Sequence, residues 1–88
     1  MNILYFTAEW CGPCKKTRPI VEELNKEGTG IKFTIVDVDS EKELVSKFNV
    51  QKVPTFVLIK DGVEVKRAIG GQTRQQLEQF SEQDQKII

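Results

Sequence analysis

The chain has two cysteines, Cys11 and Cys14, separated by Gly12 and Pro13. The stretch around them, EWCGPCKKTRP from Glu9 to Pro19, also holds the only tryptophan and two of the three prolines. A thiolate is a strong nucleophile, and two thiols at this spacing can do what one cannot. At the start of a helix, positions i and i+3 fall on one side of a turn, close enough for the sulfurs to join. The helix N-terminus carries unpaired N–H groups and a positive partial charge, a field that favours thiolate over thiol. Cys11 is therefore expected to be the more exposed and more reactive sulfur, and Cys14, one turn in, the more covered. The pair suits a two-step exchange: Cys11 attacks a disulfide to form a mixed disulfide, and Cys14 then attacks Cys11 and releases the reduced target. A lone cysteine would complete the first step and stay trapped.

Other uses of the pair fit poorly. A structural zinc site takes four ligands, and the chain has no histidine and no third cysteine. As plain core residues the cysteines would be packed around Gly-Pro, which fills space badly, whereas a strand-to-helix setting is the usual one for redox work.

The elements that would position the pair can be read from the pattern. Asn2 to Thr7, NILYFT, reads as a strand apolar on both faces, suited to the centre of a covered sheet. A helix follows from near Cys11, with Pro13 in its first turn, an apolar stripe of Thr17, Ile20, Val21 and Leu24, and Gly28 and Gly30 at its end. Pro19 lies inside it and cannot donate to the Lys15 carbonyl, so a kink is expected. Ile31 to Val38 is a second strand. Ser40 with Glu43 has capping-box form and opens a short helix that buries Leu44, Val45 and Phe48. Thr55 to Ile59 is a third strand, Asp61-Gly62 a hairpin turn, and Val63 to Ile69 the returning strand. Arg67 falls in phase with Val65 and Ile69, which predicts a bulge there. Thr73 with Gln76 has capping-box form and opens a last helix that packs through Leu77 and Phe80. The order is β-α-β-α-β-β-α, an α/β fold with a four-stranded mixed sheet flanked by three helices, and the first two strands parallel.

Composition bounds the function. The length, 88 residues, fits one domain spanning residues 1–88. Formal net charge is zero, from 13 basic and 13 acidic residues, which argues against a nucleic-acid binder. No apolar run is long enough to span a membrane. The opening MNILYFTAEW has neither a basic residue nor a small-residue cleavage site, so cytoplasmic localisation is the expectation, where thiols are kept reduced.

These residues resemble the thioredoxin family across nearly the whole chain. WCGPC, Trp10 to Cys14, resembles its active-site signature, and Pro19 its helix proline. Val53-Pro54-Thr55 is similar to the loop in which the family carries a cis-proline opposite the disulfide. KDGVEV, Lys60 to Val65, is similar to its hairpin, and Gly70 to the glycine after it. The resemblance implies a thioredoxin-like fold in a short form, and reduction of disulfides in target proteins. It implies no bound cofactor, electrons from an NADPH-dependent thioredoxin reductase, and a monomer. It also implies that Trp10, Gly12, Pro13, Val53, Pro54 and Gly70 form the apolar surface receiving an extended target segment, which pairs with Val53 like an added strand.

Two departures stand out. Typical thioredoxins have a further strand and helix before the active-site strand, whereas this chain starts on that strand. Its second strand would then be an edge, with Lys32 and Asp37 guarding it. Typical thioredoxins also bury an aspartate six residues before the first cysteine, where this chain has Tyr5. The lysine neighbour of that aspartate maps to Ile35. Losing both together leaves no unpaired buried charge, but removes the group that would take the Cys14 proton. Water, the target or Glu9 remain as acceptors, since a phenol is too weak a base near neutral pH. Tyr5 itself reads as a core aromatic whose hydroxyl finds a partner.

Two alternatives remain open. A glutaredoxin-like enzyme drawing on glutathione is favoured by the short length and Gly70-Gly71, and disfavoured by Trp10 and Gly12-Pro13. A non-catalytic thioredoxin-type subunit would lend the face around Trp10 and Pro54 to a complex.

Overall fold

A computed structural model describes residues 2–28 and 32–83. The elements are β1 (Asn2–Thr7), α1 (Gly12–Glu27), β2 (Lys32–Asp37), α2 (Lys42–Lys47), β3 (Thr55–Lys60), β4 (Val63–Ile69) and α3 (Arg74–Gln83). They form one four-stranded sheet in the order β2-β1-β3-β4. β1 pairs in parallel with β2 and antiparallel with β3, and β3 pairs antiparallel with β4.

β1 organises the core because it is apolar on both faces and successive side chains point to opposite sides. Ile3 and Tyr5 join Phe33, Phe56 and Leu58 under α1 and α3, where Val21, Leu24 and Leu77 complete the cluster. Leu4 and Phe6 join Val36 and Val57 on the other face, under Leu44, Val45 and Phe48 of α2 and its C-terminus. The register that sets Tyr5 opposite Ile35 agrees with the expected pairing of those positions.

Local signals account for most element ends. Gly28 adopts the left-handed conformation at φ 63° and caps α1 through its N–H to the Asn25 carbonyl. Gly30 and Ile31, expected at the helix end and the strand start, lie outside the described residues. α1 runs from Gly12 to Glu27 through Pro19. In the β3–β4 hairpin Lys60 faces Val63, so Asp61 and Gly62 form a two-residue loop with φ 54° and 79°, both positive as a type I′ turn requires. Thr73 and Gln76 make the expected capping box: the Gln76 N–H donates to Thr73 Oγ1 at 3.1 Å, and the Thr73 N–H to Gln76 Oε1 at 2.9 Å.

Two expectations need correction. The residue before α2 is Glu41, with no side-chain capping bond, so Ser40 does not form a box with Glu43. The chain turns instead on the Asp37 carbonyl, which accepts from the Ser40 and Glu41 N–H groups at 3.1 and 2.8 Å. The bulge in β4 falls at Val65, not at Arg67: Leu58 faces Lys66 while Ile59 faces Glu64. Arg67 is then free to reach off the sheet, where its guanidinium donates to the Phe48 carbonyl at 2.7 Å and to Glu64 at 2.6 and 2.8 Å. This ties β4 to the end of α2.

β2 is an edge strand among the described residues, with Lys32 exposed. Part of its edge is covered by a residue of α1. The Asn25 amide donates to the Phe33 carbonyl and accepts from the Phe33 N–H, both at 2.9 Å, occupying one strand position as a neighbouring strand would. On the opposite side α3 is held to α1 by Arg74, which pairs with Glu23 at 3.4 Å, with Glu27, and with Glu78 at 3.4 Å. These pairs are half exposed and contribute little each.

The burial of α3 therefore rests on Leu77, which is fully enclosed. Leu77→Ala is expected to destabilise the chain by about 3 kcal/mol in urea unfolding. Arg74→Ala is expected to have a smaller effect, and one that fades as salt is raised.

Candidate active site

The site lies where β1 ends. After Thr7 the chain turns, with the Cys11 N–H donating to the Ala8 carbonyl at 3.2 Å, and Cys11 becomes the N-cap of α1. Its sulfur accepts the Cys14 N–H at 3.2 Å. A cysteine sulfur thus takes the place usually held by a serine or aspartate oxygen. The two cysteines are joined as a disulfide, with Cα atoms 5.3 Å apart. Cys11 is 4% exposed and Cys14 2%, so in the oxidised state both are covered and the expected difference between them is small. Ala8 packs against the pair, with Val38 and Val53 alongside.

The Val53–Pro54 peptide is cis, as the resemblance implies. The Pro54 side chain is buried, and its carbonyl accepts the Gly70 N–H at 2.8 Å. Gly70 sits at φ 100°, a left-handed conformation that a side chain would strain. That bond fixes the cis loop to the end of β4. Thr55 Oγ1 braces the same loop by donating to the Lys52 carbonyl at 2.5 Å.

Of the six residues expected to receive a target, four line two grooves, Trp10 and Val53 one and Gly12 and Pro13 the other, while Gly70 and the buried Pro54 line neither. One, of about 480 Å³, is lined by Trp10, Val38, Val45, Val50 and Val53. The other, of about 690 Å³, is lined by Gly12, Pro13, Ile20 and Gly71. Trp10 is 67% exposed, and its indole Nε1 donates to Asp39 Oδ2 at 2.9 Å. Asp39 is in turn set by its own N–H donating to Asp37 Oδ1 at 2.8 Å. Sequence reasoning placed Asp37 as an edge guard and missed both roles. A short DVD run at a strand end, facing a Trp-Cys motif, is the signal that could have found them.

Beneath the disulfide, Tyr5 is fully buried and stacked on Phe56 with ring centroids 4.8 Å apart. Its hydroxyl donates to the Cys14 carbonyl at 3.3 Å. Tyr5 is thus a core aromatic with a partner, and among the described residues no buried carboxylate lies below the pair. Burial pushes the Tyr5 phenol above its ordinary value of 10.0, while the Thr7 hydroxyl and the Arg18 charge pull it back and Glu22 pushes it up. The hydroxyl therefore stays neutral and acts as a hydrogen-bond donor.

A disulfide at a helix N-terminus, beside a cis-proline loop on a mixed α/β sheet, is an arrangement suited to thiol–disulfide exchange. Comparison with known proteins makes the class specific. The family model described as Thioredoxin matches residues 1–83, and the chain belongs to the thioredoxin family. It is 47% identical over 68 residues to an H-type thioredoxin of Oryza sativa subsp. indica, covering 77% of this chain and 56% of that one. It is 39% identical over 76 residues to a thioredoxin of Bacillus subtilis, covering 85% of this chain and 73% of that one. Its structure is similar to that of a mutant thioredoxin from Halobacterium salinarum, with a TM-score of 0.88 and 36% identity over 99% of this chain and 76% of that one. The chain thus spans a little over half the length of the rice relative.

Tyr5→Phe removes one hydroxyl and is expected to cost about 1 kcal/mol. A phenol whose folded value is raised contributes stability that is present below its unfolded value near 10.0 and is lost as pH rises through the folded value. The alkaline loss of stability, followed by urea unfolding across pH, is therefore expected to be shallower in Tyr5→Phe than in wild type.

Proposed function

We propose that the chain is a protein dithiol–disulfide oxidoreductase in which Cys11 is the nucleophile and Cys14 the resolving thiol. The observation that carries this reading is the 3.2 Å bond from the Cys14 N–H to Cys11 Sγ at the first turn of α1. When the disulfide is reduced, the same N–H and the helix end stabilise a thiolate on Cys11. The thiolate attacks a target disulfide. One target sulfur leaves, and the other stays bound to Cys11. Cys14, already at bonding distance, attacks Cys11 Sγ. The Cys11–Cys14 bond forms, the Cys11–target bond breaks, and the target departs as a thiol.

The target lies as an extended segment over Trp10, Gly12, Pro13, Val53 and Gly70. Pro54 acts from below by fixing the loop's path. Residues 1–88 work as one domain and as a monomer. Electrons come from an NADPH-dependent thioredoxin reductase, and disulfide-bonded proteins are the substrates. The working compartment is one that supplies reductant, for which the cytoplasm is the natural choice. No helix among the described residues is long and apolar enough to cross a membrane.

Insulin reduction with NADPH and a thioredoxin reductase tests this reading. Wild type is expected to turn over. Cys11→Ser is expected to fall by roughly a hundredfold or more, and Cys14→Ser to stop after forming a stable mixed disulfide through Cys11. Absence of turnover with several reductases would overturn the reading, and efficient reduction by glutathione alone would replace it with the glutaredoxin-like alternative.

A further inference from the structure

The exchange requires Cys14 to lose a proton, and the described interior offers it no base. Tyr5 holds the position of the buried acid, and its partner across the sheet is Ile35. Cys14 is 2% exposed, and burial by itself disfavours a thiolate. The helix end acts most strongly on Cys11, since the field of the N-terminus fades within the first turn.

A pocket of about 280 Å³ opens beside Cys14 and shares no lining residue with the grooves described above. Thr7, Ala8, Glu9, Cys14, Lys15 and Arg18 line it. It is polar and roomy enough for several waters. Its rim carries two cations and one anion. Arg18 lies one helical turn after Cys14, and side chains of a helix lean back towards its N-terminus, over the preceding turn. The Arg18 charge pulls down the raised value of the Tyr5 phenol, whose hydroxyl lies 3.3 Å from the Cys14 carbonyl. Arg18 pairs with Glu22 at 3.9 Å, with both side chains about half exposed, a loose contact that leaves the guanidinium able to face the pocket.

We propose that Arg18, with the pocket it lines, takes over the task of a buried carboxylate: the Cys14 proton leaves to pocket water and the guanidinium stabilises the thiolate left behind. This rests on the exchange reading above. The steps balance without a further reagent. The S–H bond of Cys14 breaks and its proton passes through water to solvent. The thiolate electron pair then forms the bond to Cys11 Sγ, and the target sulfur leaves with the pair of the broken bond and takes up a proton. A carboxylate would accept the proton but repel the thiolate. A cation cannot accept the proton but makes its loss to water easier. Arg18 is thus a positioning residue acting through charge.

The other charged groups at this end of the molecule include Glu9 before α1, Lys15, Lys16 and Glu22 on α1, Asp37 at the end of β2, Asp39 after it, and Lys52 beside Val53. Lys15 adds to the effect of Arg18. Glu9 and Glu22 oppose it. Asp39 is engaged with Trp10, and Asp37 with the Asp39 N–H.

The test is a pH titration of the reduced protein, reading the Cys14 13Cβ shift by NMR, in wild type, Arg18→Gln, Arg18→Lys and Glu9→Gln. A second readout is the rate at which Cys14 resolves a mixed disulfide on Cys11, followed by Trp10 fluorescence. Arg18→Gln is expected to move the Cys14 titration to higher pH and slow resolution at neutral pH by roughly fivefold at low salt, with the rates converging in alkali and in high salt. Arg18→Lys is expected to restore most of the rate. Glu9→Gln is expected to leave resolution unchanged or faster. An unchanged titration in Arg18→Gln overturns the proposal, and so does a slowed resolution in Glu9→Gln alone, which would make Glu9 the base. The titration needs no target or reductase, so its outcome is independent of whether the exchange reading holds.

Discussion

The bond from the Cys14 N–H to Cys11 Sγ is the contact on which the site depends. It places a sulfur where a helix ordinarily wants an oxygen, and so makes the stability of the first turn of α1 and the reactivity of the thiolate two sides of one interaction. The rest of the fold can be understood as holding that turn in place. β1, apolar on both faces, is anchored between β2 and β3 and delivers Ala8 and Cys11 to one end of the sheet. α1 is clamped by Val21 and Leu24 below and by Asn25 on the edge of β2. The cis loop closes over the pair from the other side, pinned by Gly70.

What lies under the pair is apolar where the family usually keeps an acid and a lysine. Tyr5 and Ile35 face each other across adjacent strands, Tyr5 within the main core cluster and the partly buried Ile35 packed against it. A buried ion pair costs desolvation that its mutual attraction barely recovers, so an apolar replacement of both partners is tolerable, while a replacement of one is not. The consequence is chemical. The electrostatics that govern Cys14 move from the interior to the rim, where Arg18, Lys15 and Glu9 are in contact with solvent and responsive to salt.

Much of this was legible in the sequence because the signals are local. The strand at Asn2–Thr7, the Asp61-Gly62 turn and the Thr73–Gln76 box each follow from a few adjacent residues, and each is found where expected. Where a signal was local but a tertiary contact competed, the reading failed. Ser40 has capping-box spacing, yet its turn is built on the Asp37 carbonyl at the end of β2. Arg67 looked like an apolar-phase misfit, yet the bulge sits at Val65 and Arg67 is turned towards Phe48. In the site, the cysteine pair, the cis-proline loop and Tyr5 were read from spacing and family resemblance. The Trp10–Asp39 bond was not, because it joins residues 29 apart in the chain, and the DVD run points to it only once the end of β2 is set beside the Trp-Cys motif. Nor was the pocket beside Cys14, which exists only once the turn after β1 has brought Glu9 and Arg18 to one rim.

The most direct test of the N-cap sulfur is the pH dependence of Cys11 alkylation by iodoacetamide in the reduced protein, with Cys14 replaced by serine to leave a single thiol. If the N–H of residue 14 and the helix end hold the thiolate, the rate should titrate at least about one unit below the free cysteine value of about 8.5. A titration at or above that value would show that the first turn of α1 does not activate Cys11, and would contradict the basis on which the site has been interpreted.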